Sequence, residues 1–310
     1  MGNSVNYQSE INNLSIPHNQ YRSNYNLIPS LPGHEYNDLN KENLHILFNN
    51  TDLLNNDNNY IDLRNNFPDI IDIKNLPLNP IVCVSYVLHY SLLNSKLPIF
   101  PPSSMFILNN IVFFNNTKNI FSFDIIFQSI LNHGICSENE CKTIIENINN
   151  KLSKDILIKA ETYKFINIFK VDNDLNLIKF LLKNKNPILV GITVYNNLEN
   201  ISNQIYLPDI KKDIKKGGIA GVLVGYIDER ELFIMALSFG CNFGVGGFVF
   251  IPYKYILNSN YTFERYIINF DINRVEGYIN QRRNMINLEK QHAEQKNINY
   301  KNDDFNNIFS

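Results

Sequence analysis

The spacing of apolar positions changes along this chain, from helical runs in its first half to short alternating runs in its second. Asn79 is a residue type that caps helices and Pro80 suits a first helical position, so a helix is predicted that carries on from Cys83 to Leu93. A second apolar helix is predicted near Ser104 to Phe113, and a third over Phe123 to Asn132, where His133-Gly134 is a stop signal. Beyond these, Phe165 to Val171 alternates as a half-buried strand does, Asp172 to Asn184 reads as a capped helix, and Pro187 to Tyr195 is a buried strand. Gly221 to Tyr226, Glu231 to Leu237 and Gly247 to Ile251 read as further short strands. Eight of the 13 glycines fall between Gly217 and Gly247, which predicts tight turns and close backbone approaches there.

The two ends lack this periodicity. Residues 1–54 are polar and turn-rich, with Pro17, Pro29, Pro32 and Gly33, and are predicted to be an extended arm packed on the body. Residues 55–272 form that body. Residues 273–310 are polar and charged, and are predicted to be a solvated helix (Ile279 to Glu294) or disordered, with no share in the core. Helices first and antiparallel strands after them give an α+β order.

Composition narrows the classes of function. At 44% hydrophobic, 310 residues can bury a sizeable core, while 19% charged residues and a net charge of −2 argue against a nucleic-acid binder. Four cysteines exclude a disulfide-dense secreted scaffold, and the segment from Met1 to Asn6 has no apolar signal region. The protein is therefore expected to be cytoplasmic, with reduced thiols. No run reaches the roughly 18 uninterrupted apolar residues of a membrane span. Membrane attachment would rest on myristoylation of Gly2, although Asn6 stands where Ser or Thr is preferred. The 53 asparagines against four alanines, with no tryptophan, follow AT-rich codon usage, as in an AT-rich microbe or a large DNA virus. Gly244, Gly246 and Gly247 lack the spacing of a dinucleotide loop, and no cofactor is expected. His133, Cys136 and Cys141 lack a fourth zinc ligand, and no metal is expected.

Several segments fall in an order that carries more than any one of them. Ile61-Asp62-Leu63-Arg64 followed by Phe67-Pro68, Cys83 near a helix start, the run from Ile130 to Cys136, and the strand from Pro187 to Tyr195 come first. Lys216-Gly217-Gly218-Ile219-Ala220, then Leu237-Ser238-Phe239-Gly240, Phe243-Gly244, Gly247-Phe248 and the stretch from Ile251 to Ile256 complete the set. In this order the chain resembles the papain-like cysteine proteases, of the compact bacterial and large-virus type, over about residues 27 to 271. The resemblance implies two lobes, one helical and one β-rich, with the substrate cleft between them. It puts Cys83 at the position of the nucleophile.

The remaining site positions depart from the family pattern. Ile219 falls where the family has its histidine base in Gly-Gly-His-Ala, and Leu237 where it has the orienting asparagine in Asn-Ser-Trp-Gly. No glutamine stands between Asp69 and Val82 to serve the oxyanion; Asn75 and Asn79 are the nearest amides, and Asn79 reads as a helix cap. Replacing a buried His–Asn pair by Ile and Leu removes both polar partners together, which is close to neutral where losing one is not. Ile219 and Leu237 are accordingly expected to touch beside Cys83. Of the histidines, His89 lies about 240° around the helix from Cys83, His133 sits at a helix end, His18, His34 and His45 belong to the arm, and His292 to the tail. The expected function is that of a pseudoprotease, a protein-binding or structural component whose former cleft takes a protein or peptide. A virion or host-interaction role fits the codon bias and the stretch from Leu27 to Leu39, which resembles the leader of compact bacterial and large-virus members of the family. The alternative is a cysteine hydrolase that uses Cys83 with an unidentified base.

Overall fold

A computed structural model of the protein describes residues 25–31, 36–48, 59–73, 76–115, 120–144, 152–201 and 205–308. The expectations concerning Gly2, His18, Pro32, Gly33, His34 and Asn75 lie outside the described residues. The helical layer is built on α1 (Asn79–Leu93), α2 (Ser104–Asn115) and α3 (Phe123–His133), with a short α4 (Lys154–Ala160). Twelve of the 15 residues of α1 are buried, so it is wrapped on every side rather than amphipathic. Gly134 ends α3 as expected, at φ 71°, and its N–H donates to the Ile130 carbonyl at 2.9 Å.

The strands are β1 (Asn37–Leu39), β2 (Tyr60–Asp62), β3 (Ile166–Val171), β4 (Ile188–Tyr195), β5 (Lys215–Ile227), β6 (Leu232–Ala236), β7 (Phe248–Pro252) and β8 (Thr262–Phe270). They form one sheet in the order β1-β3-β8-β4-β5-β6-β7, with β2 added on β5. Every pairing is antiparallel except β1 with β3. One sheet face packs on the helical layer in a core that includes Cys83, Ala220, Val222, Val224 and Ala236. The other face forms a second core with Ile219, Leu223, Met235 and Leu237, covered by α5 (Leu175–Lys183) and α6 (Tyr253–Ile256). The period of two along a strand divides these side chains between the cores. Asp174 caps α5, its carboxylate accepting the Leu177 N–H at 2.8 Å.

Two of the elements expected from the sequence take a different form. β5 has 13 residues and starts at Lys215, not Gly221. The glycines in it give room to neighbours instead of making turns: a Cβ on Gly218 would lie 2.2 Å from the Leu27 carbonyl oxygen. The tail is a single helix, α7 (Ile272–Ile308), and its first turns do join the core. Val275 is fully buried, and Ile272 and Ile279 pack against the helical-layer core. The high polarity of the rest of this segment hid those anchors.

Candidate functional site

The first turn of α1 presses against the middle of the sheet, and two of its residues do most of the joining. Asn79 is fully buried and does not cap the helix; the N-cap position is Leu78, with no side-chain cap bond. The Asn79 amide instead reaches across to β5. Its Oδ1 accepts the Ala220 N–H at 2.7 Å, and its Nδ2 donates to the Ala220 carbonyl at 3.1 Å and to Ser238 Oγ at 2.9 Å. By the register of β5 with β6, Val222 opposite Ala236, the position opposite Ala220 is Ser238, just past the end of β6. The side-chain amide thus continues the ladder where the strand has stopped, leaving no buried N–H or carbonyl of Ala220 unpaired.

Cys83 sits one turn further along α1 and is fully buried. Its thiol donates to the Ala220 carbonyl, with Sγ–O at 3.4 Å, and the Asn79 amide lies 3.8 Å from Sγ. Burial pushes the Cys83 thiol well above the ordinary thiol range, so the group stays protonated. A nucleophilic cysteine needs the reverse: a stabilised thiolate, a base and access for a carbonyl. Here the thiol is a hydrogen-bond donor in a closed interior.

Ile219 and Leu237 do not stand beside Cys83. Both are fully buried in the second core, on the opposite face of the sheet. The side chains that face Cys83 and Asn79 belong to the next residue on each strand, Ala220 and Ser238. The expectation that Ile219 and Leu237 fill the space next to the thiol is therefore corrected by strand parity, which a motif match does not encode. Ser238, next to a replaced motif position, carries no signal of its own in the sequence. His89 is half-buried on α1, where burial holds its pKa below the ordinary imidazole value against the opposing field of Asp69. His133 lies at the end of α3, lowered in the same way near Glu161. Among the described residues, neither hydrogen-bonds to Cys83, and no three His, Cys, Asp or Glu side chains converge as a metal site would require.

The arm completes the enclosure. Leu27 N–H donates to the Gly218 carbonyl at 3.0 Å, and Phe121 N–H donates to the Asn26 carbonyl at 2.9 Å, with Ile28 N–H returning to the Phe121 carbonyl at 2.9 Å. Asn26 Nδ2 donates to the Pro77 carbonyl at 2.9 Å, two residues before Asn79. Residues 26–28 are thereby laced to the start of β5 on one side and to the segment ahead of α3 on the other. Further along, Ser30 N–H donates to Glu264 Oε1 at 2.9 Å. The arm thus lies across the seam between the helical layer and the sheet at the Cys83 end. A cavity of about 570 Å³ opens at the other end of α1, lined in part by Tyr90, Ser91, Asn94, Lys185 and Phe270.

Solved structures match this architecture. Xylellain, a cysteine protease from Xylella fastidiosa, superposes with a TM-score of 0.72 at 21% identity, over 83% of this chain and 99% of that one. Digestive procathepsin L2 proteinase from Tenebrio molitor larval midgut gives 0.64 at 14% identity, over 82% and 81%. Procathepsin B S9 from Trypanosoma congolense gives 0.61 at 11%, over 80% and 86%. No protein-family model and no curated protein sequence matches the chain. The fold is papain-like, α+β and two-lobed.

Proposed function

We propose that this protein is a non-catalytic member of the papain-like fold, a pseudoprotease that acts by binding a protein or peptide or as a structural component. The observation that carries the reading is the setting of Cys83: fully buried and donating to the Ala220 carbonyl, with the Asn79 amide beside it. An intracellular setting, including a virion, fits four unpaired cysteines, and a peptide-like partner fits the seam that the arm now covers. The test is turnover. Purified full-length protein should hydrolyse peptide and ester substrates no faster than a Cys83→Ala control, and cleavage that vanishes in that control would overturn the proposal.

The competing reading, a cysteine hydrolase using Cys83 with an unidentified base, draws on the arm. A cover held at residues 26–30 by hydrogen bonds to Gly218, Phe121, Pro77 and Glu264 could be lifted, admitting solvent and substrate to the thiol. Proteolytic removal of the arm before the same assay separates the two. Activity that appears only after cleavage, and depends on Cys83, supports the hydrolase.

A further inference from the structure

Among the described residues, the most exposed large aliphatic side chain is Ile214, at 60%, and it has close company in sequence: Leu207 is 48% exposed and Ile210 50%. Isolated apolar side chains on a surface are ordinary. Three within eight residues, on a loop that is firmly built, are not.

The root of the loop is buried. Tyr206 is fully enclosed, its N–H donates to the Phe250 carbonyl at 2.7 Å, and its hydroxyl accepts the Tyr195 N–H at 2.9 Å. The tip is a hydrogen-bonded turn. Lys212 and Asp213 N–H both donate to the Asp209 carbonyl, at 2.9 and 2.7 Å, and Asp209 N–H donates to Asp213 Oδ2 at 2.6 Å. Asn196 holds the far side, its Oδ1 accepting Ile214 N–H at 3.0 Å and its own N–H donating to the Ile214 carbonyl at 2.9 Å. The bond from Asp213 back to Asp209 has helical spacing, and residues four apart on such a turn share a side. Ile210 and Ile214 are related in that way.

The segment carries a net positive charge. Lys211, Lys212, Lys215 and Lys216 oppose only Asp209 and Asp213. Both acids are engaged within the turn: Asp209 accepts the Lys211 N–H at 3.1 Å and pairs with Lys212 Nζ at 3.1 Å, and Asp213 accepts from Asp209. An exposed tip of about ten residues is small for a protein interface, which uses roughly 20–30 residues a side. A fluid anionic surface asks for less: aliphatic tips that enter the boundary between headgroups and acyl chains, ringed by cations.

We propose that the loop from Ile205 to Lys216 docks on an anionic lipid surface, with Leu207, Ile210 and Ile214 inserted and the lysines against lipid phosphates. The test is co-sedimentation of the full chain with phosphatidylcholine vesicles, with and without about 30% phosphatidylserine. Binding should require phosphatidylserine and weaken as salt rises. With each lysine contributing about a five-fold effect, the pair Lys211→Glu and Lys212→Glu should weaken binding by at least about 20-fold. The equally charged control, Lys154→Glu with Lys254→Glu, should change it by less than about two-fold. Equal loss in the control would overturn the assignment to this loop, and so would absence of vesicle binding alongside binding to polyglutamate, which would point to an acidic protein instead. A second variant does not depend on affinity. The chain has no tryptophan, so Ile210→Trp puts a single indole at the tip. Its emission should shift to the blue and be quenched by brominated acyl chains; an indole that stays in water on bound vesicles overturns the insertion.

Discussion

Asn79 and Glu264 are both buried polar side chains along the seam between the helical layer and the sheet, and their hydrogen bonding differs. They lie on a common row: Ala220, which Asn79 grips, is paired with Gly191 of β4, and Gly191 with Glu264 of β8. Asn79 is neutral, and its amide oxygen and nitrogen meet three partners at 2.7 to 3.1 Å. Glu264 is 7% exposed; Oε1 accepts from the Ser30 N–H at 2.9 Å and the Tyr266 hydroxyl at 3.5 Å, while Oε2 has no hydrogen-bond partner among the described residues. Burial raises its pKa, and the Ser30 bonds oppose that only in part. The Cys83 end of the seam is thus held by a matched, uncharged contact. The Glu264 end is held by a group whose charge the surroundings resist. Firmness at the first and pH dependence at the second follow from the same low-dielectric interior.

The largest effect should come from breaking the matched contact. Asn79→Ala leaves the Ala220 N–H and the Ser238 hydroxyl without their partner in the interior, and the Ala220 carbonyl with the Cys83 thiol alone. At about 1–3 kcal/mol for each unsatisfied buried group, partly relieved by relaxation, the expected loss is about 3–5 kcal/mol. Urea unfolding monitored by circular dichroism measures it. A loss below about 1 kcal/mol would mean that the amide is not what joins α1 to β5.

Next in size is the test of the two sheet faces. Ile219→His puts an imidazole into the second core, away from Cys83, and removes a buried aliphatic side chain. The expected loss is about 2–3 kcal/mol, with an imidazole that titrates low because burial disfavours its charged form. Cys83 should gain no reactivity toward an electrophile from this change. A variant with a newly reactive Cys83 would place the imidazole on the helical side and reverse the assignment of faces.

That face assignment also marks what could be read from the sequence. Pro80 and Gly134 announce the start of α1 and the end of α3 because each acts through its own backbone, which neighbours do not alter. The ordered motifs gave the two-lobed fold because loop glycines and strand ends are tied to connectivity. The site was harder. Ile219 and Leu237 were matched by position, yet which core a strand residue enters depends on pairing with distant segments. Asn79 has the residue type and place of a cap, and only the nearness of Ala220, 141 positions away, redirects its amide. β8 is not legible in the sequence because Glu264 and Arg265 interrupt its apolar run, although both are buried.

A smaller change of opposite sign should come from Glu264→Gln, which keeps an oxygen for the Ser30 N–H and removes the charge. Since the folded-state pKa of Glu264 is raised, its contribution is fully present below the unfolded value of about 4.3 and is lost as pH rises through the folded value. The glutamine variant does not titrate there. It should match the parent protein near pH 4 and exceed it by about 1 kcal/mol at pH 8. Comparing the two proteins at each pH cancels the other carboxylates. A variant less stable than the parent at pH 8 would mean that an unseen cation satisfies the orphan oxygen.

The smallest stability effect belongs to Cys83, although it is the residue that the fold would mark as reactive. Cys83→Ser keeps a donor aimed at the Ala220 carbonyl in a similar volume and should cost less than about 1 kcal/mol. The sharper measurement is of access. All four cysteines are free; Cys241 is exposed, and Cys83, Cys136 and Cys141 are buried. Burial pushes the thiols of these three upward, to well beyond the ordinary range for Cys83 and Cys136. A disulfide reagent such as dithionitrobenzoate is attacked by the protein thiolate, which releases the coloured thiolate, and it needs an approach path. Native protein should therefore release one equivalent of chromophore quickly, and that equivalent should disappear in Cys241→Ser. Unfolding in urea should bring the total to four. If a second fast equivalent remained in Cys241→Ser and were lost in Cys83→Ser, the thiol would be reachable with the arm in place. The contrast between a sealed Cys83 end and a titratable Glu264 end would then not hold.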